Sequence, residues 1–184
     1  LLQYIRLLLF PLLCFVLLPG ANANPQADSS RPAVFPSLNA DSLARTRLNL
    51  PADFAGRANL LLIYFEPEQA HVVDTWMPFA QALQHMNFNF RYYRMPVSNP
   101  ENFIFRWWDT SSLRSVETDP ETWPWIVPLY INKQEFRRSL NIPNEKDIVV
   151  LLVNKSGQVL WRSSGRFTDD KRAPLSAAVT AVTQ

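Results

Sequence analysis

The stretch "ANLLLIYFEPEQAHVVDTWMPFAQAL", residues 58–83, restricts the fold more than any other part of the chain. It begins as a continuous apolar run of strand length, without alternation between apolar and polar positions. Such a strand is covered on both faces, so the chain must supply a layer on each side of it. The run passes quickly into Val72, Val73, Trp76, Phe79, Ala80 and Leu83, which recur at helical spacing with Asp74, Gln81 and Gln84 between them. A buried strand followed at once by an amphipathic helix predicts an α/β domain. Pro78 lacks an amide hydrogen, so it kinks this helix unless the helix starts close to it.

The remaining segments extend the pattern. "FNFRYYRMPV" sets Phe88, Phe90 and Tyr92 against Asn89, Arg91 and Tyr93, the alternation of a strand. Ser98 or Asn99, followed by Pro100 and Glu101, makes a helix start. "KQEFRRSLNI" predicts a short helix that stops before Pro143. "DIVVLLV" is a second buried strand, "NKSG" a tight turn that joins antiparallel strands, and "QVLWRSSG" the partner strand. A last helix starts either after a Thr168 cap, with Asp169 and Asp170 suiting its positive end, or with Pro174 as the first residue of "PLSAAVTAV". This order is a βαβ unit followed by a ββα unit. It predicts a mixed central sheet with helices on both faces. An aromatic and proline-rich insert, running from "RWWDT" to "WPW", separates the second strand from the hairpin.

Residues 1–23 are a different kind of segment. They carry Arg6, an apolar run over residues 7–18, a break at Pro19-Gly20, and small residues at Ala21 and Ala23. That is the pattern of a secretory signal peptide cleaved after Ala23. The run is short and interrupted by Pro11, so no stable membrane span is expected after cleavage. The protein is expected to be periplasmic or otherwise exported; the alternative is anchorage in the inner membrane by an uncleaved signal. Residues 24–44 read as a flexible linker, and residues 45–184 as the domain. The single cysteine, Cys14, lies inside the signal, so the mature chain is expected to have no disulfide and no thiolate. A formal charge of +2, with acids and bases interspersed, excludes nucleic-acid binding by electrostatics.

The order of elements resembles that of thioredoxin-like oxidoreductases, which write the region after their central strand as F-x-x-x-x-C-x-x-C-x-x-x-x-P. Phe65, "EPEQ", "AHVV", "DTWM" and Pro78 stand in that register here, with Ala70 and Val73 at the cysteine positions. "IVVLLVNKSGQVLW" is similar to the family's hairpin, and spacing back from Gly157 places its cis-proline position at Ile148. The resemblance implies an oxidoreductase fold with its redox positions, Ala70, Val73 and Ile148, vacated. A narrower resemblance is to the ATP-synthase assembly-factor family, which chaperones the proton-channel subunit. Its V-x-x-W/F-x-x-P-F, L-x-I-x-N and G-x-I-R-W-x-G-S-G-x-A-T segments are matched by "VDTWMPF", "SLNIPN" and "GQVLWRSSGRFT", with Leu160 where the family often has Arg. This resemblance implies a protein-binding or assembly role, with a membrane-complex subunit as client.

Thiol redox chemistry needs a thiolate at the amino end of a helix, so thiol–disulfide oxidoreductase activity is expected to be absent. No cofactor is expected. The rival is a cysteine-independent enzyme, metal-assisted or peroxide-handling, built on His71 with Glu68 and Asp74. Imidazole and carboxylates bind transition metals, and His71 and Asp74 lie about one helical turn apart. Glu66 and Glu68, flanking Pro67, are the candidates for acid–base work. "SSG" is not a nucleophile elbow, and Gly157 is a hairpin residue. On the binding reading, His71 with Trp107, Trp108, Trp123 and Trp125 forms the candidate surface, provided the tryptophans leave a contiguous exposed patch and are not core.

Overall fold

The computed structural model describes residues 33–100 and 103–183, with the side chains of all of these except 103–109. The proposed signal and the first part of the linker lie outside the described residues. In chain order, β1 (Leu38–Asp41) and β2 (Arg47–Leu50) form an antiparallel ribbon. β3 (Ala58–Tyr64) leads through a 3-10 turn, Pro67–Gln69, into α1 (Ala70–Asp74) and α2 (Met77–Met86). β4 (Phe90–Ser98) and α3 (Phe103–Val116) follow, then a 3-10 turn at Pro120–Trp125, β5 (Leu129–Tyr130) and α4 (Lys133–Ser139). The hairpin of β6 (Val149–Val153) and β7 (Val159–Ser164) gives way to a 3-10 turn, Asp169–Lys171, and α5 (Arg172–Thr183).

The main sheet has the order β5-β4-β3-β6-β7. β3 pairs parallel with β4 and antiparallel with β6, so the sheet is mixed, as the sequence predicts. Every residue of β3 and of β6 is buried. Their side chains alternate between two cores because successive residues point to opposite faces. Leu60, Leu62, Val150 and Leu152 meet Val73 of α1, Trp76 at the α1–α2 junction, Ala80 and Leu83 of α2, and Leu175 and Val179 of α5. Leu61, Ile63, Leu151 and Val153 meet Phe136 of α4 and the amino-terminal ribbon.

Pro78 is the second residue of α2, where a missing amide hydrogen costs nothing. The expected long helix is therefore two helices. Between them the Thr75 hydroxyl donates to the Val72 carbonyl at 2.6 Å and accepts from the Phe167 amide at 2.9 Å. The last helical stretch takes the first of the two expected starts: Thr168 is the N-cap of the 3-10 turn, with Asp169 and Asp170 in that turn, although its side chain makes no capping bond. The turn runs straight into α5, which begins at Arg172 with Pro174 inside its first turn.

The linker expected over residues 24–44 is corrected from residue 33 onward. Phe35 is 1% exposed and Leu43 is fully buried, and β1 lies within the segment. Phe35 packs edge-on against Phe54 at 5.5 Å and Phe136 at 5.8 Å, closing the α4 side of the sheet. Gly157 holds the "NKSG" turn at φ 81°, and a Cβ there would come within 2.8 Å of the Phe35 carbonyl. The close approach of the amino-terminal segment to the hairpin at this point requires a glycine. Among the described residues, no helix is long and apolar enough to cross a membrane.

Candidate functional site

The site is built where the chain leaves β3 at the carboxyl end of the parallel strands, the usual place for ligand-facing loops in α/β sheets. Ala70 opens α1 half-buried. Val73, one turn on, is fully buried in the core with Trp76. Ile148, just before β6, belongs to the same apolar cluster, and its carbonyl accepts from the Gly165 amide at 3.0 Å. The three positions singled out from the resemblance therefore border one region, and each carries a hydrocarbon side chain.

Gln69 fixes the loop that reaches this region. Its side chain is 9% exposed; Oε1 accepts from the Phe65 and Glu66 amides at 2.9 and 3.4 Å, and Nε2 donates to the Glu145 carbonyl at 2.7 Å. Beside it, Lys133 of α4 places its ammonium 2.6 Å from Glu145 and 3.3 Å from Glu66, and Arg137 reaches Glu145 at 3.0 Å. Partial burial disfavours the charged Lys133, but its hydrogen bonds to Glu145 and Glu66 outweigh that and raise its pKa. Partial burial likewise opposes ionisation of Glu145, and the hydrogen bonds from Lys133 and Arg137 reverse the balance and lower its pKa. Gln69, Lys133, Arg137 and Glu145 were not visible as a group in the sequence. The one local signal was Gln69, a polar residue directly before the helix.

The proposed metal and acid–base residues do not converge. His71 and Glu68 are exposed, and Asp74 turns to Arg94 of β4 at 3.5 Å. Arg94, 12% exposed, also ion-pairs with Glu117. Glu66 is held by Lys133. Among the described residues, no group of three or more His, Cys, Asp or Glu side chains is arranged to hold a metal. The set His71, Glu68 and Asp74 is therefore corrected: helical spacing put His71 and Asp74 about one turn apart, but the Asp74 carboxylate pairs with Arg94 while His71 and Glu68 stay exposed.

The tryptophans divide. The side chains of Trp107 and Trp108 lie outside the described residues. Trp123 is half-buried, donates its indole N–H to the Glu117 carbonyl at 2.8 Å and carries the Arg114 guanidinium over its ring. Trp125 is half-buried at the sheet edge, where it touches both cores and packs on Tyr93 at 5.8 Å. Among the described residues, the large apolar side chains left exposed are Met86 and Phe88, at the opposite end of α2, with Val116 at the end of α3 and Val34.

The three quoted motif segments meet around β7. Trp76 is fully buried, donates its indole N–H to the Gly165 carbonyl at 2.9 Å, and packs edge-on against Phe167 at 5.2 Å and Trp161 at 6.2 Å. Arg162 donates to the Asn141 carbonyl at 3.0 Å and to the Leu140 carbonyl, satisfying the end of α4.

No family model matches the chain, and no curated protein matches it. Among solved structures, the chain is similar to BsSco, a member of the Sco family of cytochrome c oxidase assembly proteins, with TM-score 0.58 and 18% identity over 81% of this chain and 95% of that one. It is similar to an uncharacterised thioredoxin-like protein from Porphyromonas gingivalis, with TM-score 0.52 and 12% identity over 83% of this chain and 93% of that one. StoA from Bacillus subtilis matches with TM-score 0.51 and 15% identity over 80% of this chain and 99% of that one. The fold is thioredoxin-like. At such identities the likeness speaks to fold alone.

Proposed function

We propose that the chain is an exported, redox-inactive thioredoxin-like domain that binds a protein client and assists the assembly of an envelope membrane complex. The observation that carries this reading is the chemistry of three positions. In the redox proteins that the sequence resembles, two helix positions and one facing loop position hold the reactive pair and its proline; here they are Ala70, Val73 and Ile148. The chain's one cysteine, Cys14, falls in the segment read as a signal. A thiolate is required for disulfide exchange, and hydrocarbon side chains cannot replace it. Support for a binding role comes from the fixed loop before α1. Gln69 and the Lys133–Glu145 pair hold it in place, so little loop freedom is lost when a partner docks. Assembly work has a precedent in this fold, since BsSco is described as belonging to a family of assembly proteins.

The test is affinity capture of the tagged protein, after mild crosslinking, from the envelope membranes of the organism that makes it. Subunits of a single membrane complex are expected in near-stoichiometric yield, held without a mixed disulfide. Recovery of no membrane-complex subunit, under conditions that keep weak complexes intact, contradicts the reading.

A further inference from the structure

Away from α1, the β1–β2 ribbon, the carboxyl half of α3 and Tyr130 of β5 line a half-open cavity of about 710 Å³. Arg45, Arg47 and Arg114 line it, and Asp41 is the carboxylate among its described lining residues. Among the described lining residues, three arginines thus stand against one carboxylate, in a chain whose formal charge is only +2. Asp41 offsets little of this: it stands 3.8 Å from Arg47, and both side chains are largely exposed. On the wall, the hydroxyls of Thr110 and Tyr130 approach each other at 3.2 Å.

The guanidinium of Arg114 and the backbone of Arg45 are held in place. The Arg114 guanidinium lies 5.2 Å over the Trp123 ring, its Nε donates to the Leu43 carbonyl at 2.9 Å, and Nη2 donates to the same oxygen. The ring and the carbonyl fix the plane of the fork. Arg45 sits at φ 64°, in the left-handed region. That conformation costs a non-glycine residue about 1–2 kcal/mol. A tight turn maintains it, with the Arg45 amide donating to the Ser42 carbonyl at 2.8 Å and the Ser42 amide to the Thr46 carbonyl at 2.9 Å. Arg114 has a lowered pKa, first because of partial burial and then because the like-charged Arg45 is close by.

We infer that this cavity is the docking site for an acidic peptide segment of the protein client. The inference rests on the client reading above. Guanidinium forks recognise carboxylates, and three of them, one held in place by the Trp123 ring and the Leu43 carbonyl, favour a run of acidic side chains over a lone anion. At about 710 Å³ the cavity has room for more than one acidic side chain.

The probe is a fluorescein-labelled oligoglutamate peptide, titrated with the purified protein and followed by anisotropy. Arg45→Glu and Arg47→Glu are each expected to weaken binding about tenfold, the worth of one charge-assisted contact. Arg138→Glu, the same charge change on the exposed face of α4, is expected to leave affinity within about twofold. Arg114→Lys keeps the charge and loses the fork, and is also expected to bind the peptide more weakly. Circular-dichroism melts establish that each variant is folded. Equal losses in Arg45→Glu and Arg138→Glu overturn the inference, because net charge alone would then explain binding. Saturation by inorganic phosphate or by phosphatidylglycerol vesicles, without peptide binding, overturns it as well. If Arg45→Glu loses the peptide yet captures the client as well as wild type does, the cavity is not the docking site and the client reading stands. If the peptide titration behaves as expected and wild type captures no client, it is the client reading that falls.

Discussion

Trp76 and Gln69 show how single side chains hold the region around α1. The buried Trp76 indole ties the α1–α2 junction to the Gly165 carbonyl and to two aromatic rings from beyond β6. Trp76→Phe removes the donor and leaves a void, so a loss of about 2–3 kcal/mol is expected in urea unfolding. Gln69→Leu is close in size, but it strips partners from the Phe65 amide and the Glu145 carbonyl. A loss of about 1–3 kcal/mol is expected, with faster hydrogen exchange confined to the start of α1. Trp76 was legible in the sequence as a core residue because its neighbours recur at helical spacing. Its bond to Gly165 was not legible, because nothing in a local pattern reports a partner so distant along the chain. The same holds for Asp74. Helical spacing put it beside His71, and Arg94, from a different strand, claimed it.

At the scale of elements, α4 is joined to the loops that precede α1 and β6 through Lys133, Glu145 and Arg137. Its contribution depends on pH in a definite direction. Glu145 has a lowered pKa, so its stabilisation is present above the ordinary carboxylate value of 4.5 and is lost as pH falls through the folded-state value. Lys133 has a raised pKa, so its share is full below the ordinary 10.5 and is lost as pH rises through the folded-state value. The pair therefore works across the whole range between these limits. Glu145→Gln is expected to reduce stability near neutrality and to flatten the acid limb of a plot of unfolding free energy against pH. An unchanged acid limb would mean that the pair contributes nothing measurable. The long elements were readable beforehand: β3 and β6 announce themselves as unbroken apolar runs, and Pro78 announces the break between α1 and α2. β1, β2 and β5 were not readable, because strands of 4, 4 and 2 residues are too short to display a period.

For the whole molecule, the two cores decide where the domain begins. Residues 33–44 read as a linker because Phe35 and Leu43 stand alone among prolines and polar residues, yet both are buried against the sheet. A chain starting at residue 45 is expected to lose several kcal/mol, since removing one buried phenylalanine side chain already costs about 3–5 kcal/mol. A chain starting at residue 33 is expected to unfold like the full-length protein; equal melting temperatures for the two truncations would refute this boundary. The thioredoxin-like architecture was legible from the order of its elements. The arginine-lined cavity was not, because the turn at Arg45 and the helix residue Arg114 are brought together only by the folding of β1 and β2 onto α3. The claim of redox inactivity is tested most directly by insulin reduction with dithiothreitol, followed as turbidity, using the purified full-length chain beside its Cys14→Ser variant. Both are expected to give the rate seen without protein. Catalysis by the wild-type chain that vanishes in Cys14→Ser would mean that the protein performs thiol chemistry after all.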